Sequence, residues 1–217
     1  MAPAQPTRKR QTRNPEMTRE RLLVAATELF SIHGFDGISV DDIVKAARVN
    51  KRMVYHYFED KSGLYAEVLK RVFGRLAEIE LRTFADSGDP VKTIQEILRA
   101  YFKFLEENPE FVALLAWENL HKGRFIEENP NLLTKAPVLQ RLEEVLREGV
   151  AQHLFRPGVK VKHLLINLIG VCFVYHANRY TLSQSVGLNL HSPKVLREGL
   201  DHAINLTLQG LLLRPTV

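Results

Sequence analysis

Apolar residues recur at helical spacing along most of this chain, and no strand-period segment of useful length interrupts them. Leu22, Ala25, Ala26, Leu29 and Phe30 fall on one face of a first helix that Gly34 is placed to end. Ser39-Val40-Asp41-Asp42 has the spacing of a capping box, with a hydroxyl followed three residues later by a carboxylate. It starts a short helix carrying Ile43, Val44, Ala46 and Ala47. A tight break at Arg48-Val49-Asn50 follows, with Asn50 the natural cap of a third short helix, 51–57. Asp60 can cap a long fourth helix striped by Leu64, Tyr65, Val68, Leu69, Val72, Leu76 and Ile79.

Three pairs of a polar residue and proline announce later helix starts: Asp89-Pro90, Asn108-Pro109 and Ser192-Pro193. Proline suits the first helical position, where its missing N–H costs nothing, and the polar side chain before it can cap. Apolar helical patterns then cover about 91–107, 110–121, 135–151, 161–183 and 194–213. The prediction is an all-α fold of about nine helices, with a possible extra turn near Ile126. It divides into an N-terminal helix-turn-helix domain at 15–62, after an arm at 1–14, and a C-terminal helical domain at 63–217.

Two short helices joined by a three-residue turn and braced by a third can place the second helix in the major groove of DNA. On that helix Lys51, Arg52, Met53, Tyr55 and His56 are expected outward, Val54 and Phe58 inward. Lys and Arg can donate to guanine, while Tyr and Met can lie on thymine methyl groups. Lys61 and the helix starts suit phosphate contacts. The plainer alternative is a helical bundle with a solvated basic face.

Residues 17 to about 75 closely resemble the DNA-binding region of the TetR family. The resemblance runs through Ala25-Ala26-Thr27-Glu28-Leu29-Phe30 and Gly34-Phe35-Asp36-Gly37-Ile38-Ser39-Val40. It continues through Asp42-Ile43-Val44-Lys45-Ala46-Ala47 to Val54-Tyr55-His56-Tyr57-Phe58-Glu59-Asp60-Lys61. By that resemblance Lys51, Arg52, Met53, Tyr55 and His56 fall where family members touch bases, and Ser39, Tyr57 and Lys61 where they touch phosphates. Arg48 and Asn50 complete the candidate DNA-binding set. The family also implies a homodimer, a palindromic double-stranded operator and a C-terminal domain that binds a small-molecule effector. One departure stands out: members usually carry glycine where this chain has Arg48. A left-handed arginine there would be strained by about 1 kcal/mol, which a phosphate contact could offset.

Composition agrees with this picture. Of 217 residues 45% are hydrophobic, enough for ordinary cores, and the net charge of +5 suits a polyanionic partner. The first 21 residues hold six basic side chains against two acidic ones. Arg8, Lys9, Arg10 and Arg13 are either a solvated tail or a groove-binding arm. The single cysteine, Cys172, excludes an internal disulfide, and the polar N-terminus carries no secretory h-region. The most apolar run, 164–174, is too short to cross a bilayer. A cytoplasmic protein is expected.

In the C-terminal domain, Gly199, Ala203, Leu206 and Gly210 share one face of the last helix, beside Leu196, Leu200 and Thr207. With the strongly apolar 161–183 segment they could form a four-helix interface with a second copy; intrachain packing is the alternative. Candidate effector-lining residues are Tyr101, Phe104, Leu105, Phe111, Leu115, Trp117, Glu118, His121, Phe125, Phe173, His176 and Tyr180. Trp117, Glu118 and His121 are expected on one helix face. A small aromatic or carboxylated metabolite is the expected ligand class. No motif for a metal, a cofactor or catalysis is legible. The alternatives to an effector-released repressor are an architectural DNA-binding protein without an effector and an all-α enzyme or carrier.

Overall fold

A computed structural model describes residues 15–85 and 88–213. The arm at 1–14 therefore lies outside the described residues. Among those described there are eleven α-helices and one 3₁₀ turn, and the extended pairing is a single bridge between Phe155 and Leu212. No helix of the described residues is long and apolar enough to cross a membrane.

The chain divides into two compact units between Val68 and Leu69. The first holds α1 (Pro15–His33), α2 (Val40–Ala47), α3 (Arg52–Phe58) and the opening turns of α4 (Lys61–Ala85). The sequence suggests a boundary before α4, whereas the structural division falls inside it. The reason is local: Leu64 and Tyr65 are buried, and the Tyr65 ring meets Phe30 edge-on with centroids 4.8 Å apart. Asp60 starts α4 as expected, its Oδ1 accepting from Gly63 N at 2.8 Å. An ion pair between Arg19 and Glu67 ties α1 to the same turns.

The second unit contains the rest of α4 with α5 (Pro90–Glu107), α6 (Pro109–Leu120) and α7 (Arg124–Glu128). A 3₁₀ turn (Pro130–Leu133) follows, then α8 (Ala136–Ala151), α9 (Val161–Ala177), α10 (Arg179–Val186) and α11 (Pro193–Leu211). Helix α5 is central. It contacts α6, α8, α9 and α11, so its apolar residues are buried nearly all round, from Ile94 through Leu105.

Eleven helices replace the expected nine for two reasons. The turn near Ile126 is a full helix, α7. The segment expected as one helix at 161–183 breaks at Asn178, whose carbonyl accepts from Leu182 N at 2.9 Å and so begins α10. The three caps also differ. Asp89 caps α5, its Oδ1 accepting from Val91 N (2.8 Å) and Lys92 N (3.2 Å). Asn108 instead turns back, donating from Nδ2 to Phe104 O and accepting from Arg75. Ser192 makes no side-chain cap.

Candidate DNA-binding surface and interior cavity

Helix α3 is too short to bury more than one stripe. Val54 and Phe58, one turn apart, are its buried residues. Lys51, Arg52, Tyr55 and His56 are exposed, while Met53 and Tyr57 are half-buried. Asn50 opens the helix as expected: its Oδ1 accepts from Arg52 N at 2.9 Å. Lys51 reaches back to α2, where its ammonium meets Asp41 Oδ2 at 2.9 Å. That hydrogen bond, more than any other influence, holds the lysine in its charged form.

Helix α2 begins with the capping box read from the sequence. Asp42 N donates to Ser39 Oγ (3.2 Å), and Ser39 N and Oγ both donate to Asp42 Oδ2 (2.9 and 2.6 Å). The bond from the Ser39 hydroxyl lowers the Asp42 pKa. In the free chain the Ser39 hydroxyl proton is therefore engaged by Asp42. Lys61 is likewise engaged, with Nζ 4.4 Å from the Phe35 ring centroid.

Arg48 adopts the left-handed conformation, φ 54° and ψ 47°. Its N–H donates to Lys45 O, and Val49 N donates to Val44 O at 3.1 Å, closing α2 in the manner usual for a glycine. The Arg48 carbonyl accepts from Arg21 Nη2 at 3.3 Å. Replacing Arg48 by Gly removes the steric cost at this φ and is expected to stabilise the free protein by about 1 kcal/mol. Urea denaturation measures this; a variant no more stable than the parent would show that the turn is unstrained.

The second unit encloses a cavity of about 100 Å³. It is lined by Tyr101, Phe104 and Leu105 of α5, Phe111 and Leu115 of α6, and Phe173 of α9, all expected. Leu76, Leu133, Lys135 and Ile169 complete the wall. The Tyr101 hydroxyl donates to Glu80 Oε1 at 2.7 Å, and Lys135 Nζ approaches the same oxygen at 2.6 Å. Burial, and then the Glu80 charge, push the Tyr101 pKa well up, so Tyr101 remains a donor. Glu80 and Lys135 escaped the sequence reading. For Glu80 a signal existed, since it sits one turn after Leu76 where the buried stripe of α4 would continue. For Lys135, outside any periodic pattern, none did.

The other expected lining residues lie elsewhere. Trp117, half-buried, and exposed His121 share a face as expected, with ring centroids 6.0 Å apart and His121 Nδ1 2.8 Å from Trp117 O, while Glu118 is buried and none of the three lines the cavity. Phe125 is buried outside the cavity wall. Tyr180 is 71% exposed, its ring beside His191. The break at Asn178 explains this last case, since Tyr180 belongs to α10 and not to the continuation of α9.

His176 is buried and meets Phe102 edge-on at 5.1 Å, with no partner for Nε2 among the described residues. Burial, and secondarily Arg179, lower its pKa to about 4. A pKa depressed by folding means the unfolded chain binds the proton first. The stabilisation is complete above the ordinary value of 6.5 and is lost as pH falls toward 4. His176→Phe is expected to flatten the stability profile across that window in urea titrations; an unchanged profile would count against the buried neutral imidazole.

The small-residue face of α11 also divides. Leu196, Gly199 and Ala203 are buried within the chain, Gly199 beneath the Tyr175 ring, where an added Cβ would lie 2.5 Å from a ring carbon. These three serve intrachain packing rather than a partner. Leu200 and Thr207 are half-buried, whereas Leu206 and Gly210 are exposed. On α9, Ile166, Gly170 and Val174 form an exposed line one turn apart.

Comparison with known proteins places these features. The description "Bacterial regulatory proteins, tetR family" matches residues 22–68, and "Tetracyclin repressor-like, C-terminal domain" matches residues 90–206. The chain is 31% identical to the HTH-type transcriptional repressor NicS of Pseudomonas putida, over 90% of this chain and 93% of that protein. It is 27% identical to the HTH-type transcriptional repressor SCO4008 of Streptomyces coelicolor, over 73% and 78% of the two chains. A TetR transcriptional regulator from Chloroflexus aurantiacus has a similar fold, with TM-score 0.71 at 19% identity, covering 94% of this chain and 100% of that one.

Proposed function

Because the chain belongs to the TetR family of bacterial transcriptional regulators, we propose that it is a homodimeric repressor released from a palindromic operator by a small aromatic effector. The observation that carries the DNA reading is α3: two buried residues anchor it, and Lys51, Arg52, Tyr55 and His56 stand outward on a single short helix. In this reading those four, with Met53, meet base edges, and Tyr57, Lys61 and Arg48 meet phosphates. Asn50 sets the start of the helix, and Ser39 acts through the backbone it caps. The names of the two relatives above favour repression. Such a protein works in the cytoplasm, where the operator is.

The partner copy covers the exposed line on α9 and the outer end of α11 at Leu206, Thr207 and Gly210. In the dimer the two recognition helices stand about one DNA turn apart, roughly 34–36 Å. The effector occupies the aromatic cavity. Helix α4 carries Leu76 in that cavity and Lys61 at its start, immediately after α3. Effector binding that shifts α4 changes the spacing of the recognition helices and lowers operator affinity.

Footprinting on DNA flanking the protein's own gene, repeated with a panel of metabolites, tests the whole reading. A palindromic protected site released by an aromatic compound is expected. Uniform, sequence-independent coverage insensitive to every compound would instead identify an architectural DNA-binding protein.

A further inference from the structure

Among the described residues that line the cavity of the second unit, Tyr101 and Lys135 alone carry polar side-chain groups, yet the wall offers no polar atom to the space it encloses. Both groups are drawn away to one point. The Tyr101 hydroxyl donates to Glu80 Oε1 at 2.7 Å and the Lys135 ammonium to the same oxygen at 2.6 Å. Glu80 is completely buried on α4 and lies outside the wall. Toward the cavity this leaves the ring of Tyr101 and the methylene stem of Lys135.

Such a space stays dry, because a buried water needs several polar partners and finds none here. The same walls sort ligands by charge. An anion or a cation would surrender its hydration with no partner in exchange. Lys135 cannot serve an anion without deserting Glu80, which would strand a buried carboxylate. A ring hydroxyl would likewise be left unpaired. An apolar ring loses nothing on entry and gains the burial of its surface.

Resting on the effector-site reading above, we propose that the effector is a neutral, single-ring aromatic compound without charged or hydrogen-bonding substituents, and that Glu80 is the positioning residue that keeps the cavity selective for it by holding the Tyr101 hydroxyl and the Lys135 ammonium away. The ring is set by the wall, where Tyr101, Phe104, Phe111 and Phe173 offer aromatic faces and edges. The size of the space sets the limit of one ring. About 100 Å³ is short of the roughly 150 Å³ that holds benzene in an apolar protein cavity, so the wall must give as the ring enters. Leu115, Leu133, Ile169 and Phe173 are half-buried, and theirs is the side with fewest atoms to move; Tyr101, Phe104 and Phe111 are buried.

Toluene, phenol, benzoate and benzylammonium, titrated calorimetrically into the full-length protein, test the ligand class without any variant. Toluene is expected to bind at least about tenfold tighter than either ion, with phenol between. Phenol or either ion binding as tightly as toluene overturns the assignment but leaves an aromatic cavity. No binding of any probe overturns the cavity reading and this assignment together. Glu80→Gln, nearly isosteric and still able to accept from Tyr101, tests the positioning role. It frees Lys135 from its charged partner, so benzoate affinity is expected to rise at least about tenfold while toluene affinity stays within about twofold of the parent. Benzoate binding unchanged in Glu80→Gln overturns that role. Tyr101→Phe, which deletes the hydroxyl and keeps the ring, decides the matter should Glu80→Gln not fold: toluene affinity is expected to stay within about twofold, and a change of about tenfold would place the hydroxyl inside the site and overturn the proposal.

Discussion

Arg52→Ala is expected to reduce operator affinity by roughly tenfold to a hundredfold while leaving binding to random DNA almost unchanged. A good side-chain contact to a base edge contributes about 1–3 kcal/mol of discrimination, and each 1.4 kcal/mol is tenfold. Arg52 is the strongest such candidate on α3. It is exposed at the N-terminal end of the helix, the end that reaches base edges in helix-turn-helix proteins. Its backbone N–H is held by Asn50, so the helix start survives the truncation. Lys51 makes a useful contrast. Its ammonium already pairs with Asp41, and DNA must compete with that pair, so Lys51→Ala is expected to cost less than Arg52→Ala. Fluorescence anisotropy with operator and scrambled duplexes at two salt concentrations separates the two quantities. Equal losses on both duplexes would assign Arg52 to the phosphates rather than the bases.

Lys135→Met is expected to destabilise the protein by about 2–3 kcal/mol, less than the roughly 3–5 kcal/mol for removing one partner of a fully buried ion pair. The smaller value applies because Lys135 is partly exposed and Tyr101 still donates to Glu80. For a chain of this size that corresponds to a fall in Tm of roughly 4–12 °C. The companion expectation is more telling. Glu80→Gln in the Lys135→Met background should recover more than half of the loss, because it removes the charge left without a counter-ion. Calorimetric unfolding of the parent, both single variants and the double variant closes the cycle. Additive losses would mean that the pair is not energetically coupled.

The two expectations draw on different levels of organisation, and so did their legibility. Local chemistry was written in the sequence. Ser39 and Asp42 form their box, Asp60 and Asp89 cap, and Val54 and Phe58 turn inward, because each outcome depends on residues within one or two turns. The positions of the first four helices followed from the same short-range rules. Arg48 marked its own turn as unusual, since only a left-handed residue closes α2 there.

Tertiary structure decided what short-range rules cannot reach. Asn108 and Ser192 stand before prolines as Asp89 does, yet Asn108 bonds Arg75 from α4 and Ser192 leaves its helix uncapped. Nothing local marks Asn178 as a break, so Tyr180 reads as a continuation of α9 when it lies on the surface of α10. Gly199 reads as part of a face for a second copy until the Tyr175 ring is seen to occupy it. Most of all, Glu80 and Lys135 are 55 residues apart, one an interruption in an apolar stripe and the other an ordinary lysine before a helix. Periodicity identifies which side of a helix is buried, but not which distant residue will meet it there. The helix-turn-helix was thus determined by the sequence itself, while the buried pairing of Glu80 with Lys135 came from the packing that brings the residue before α8 onto α4.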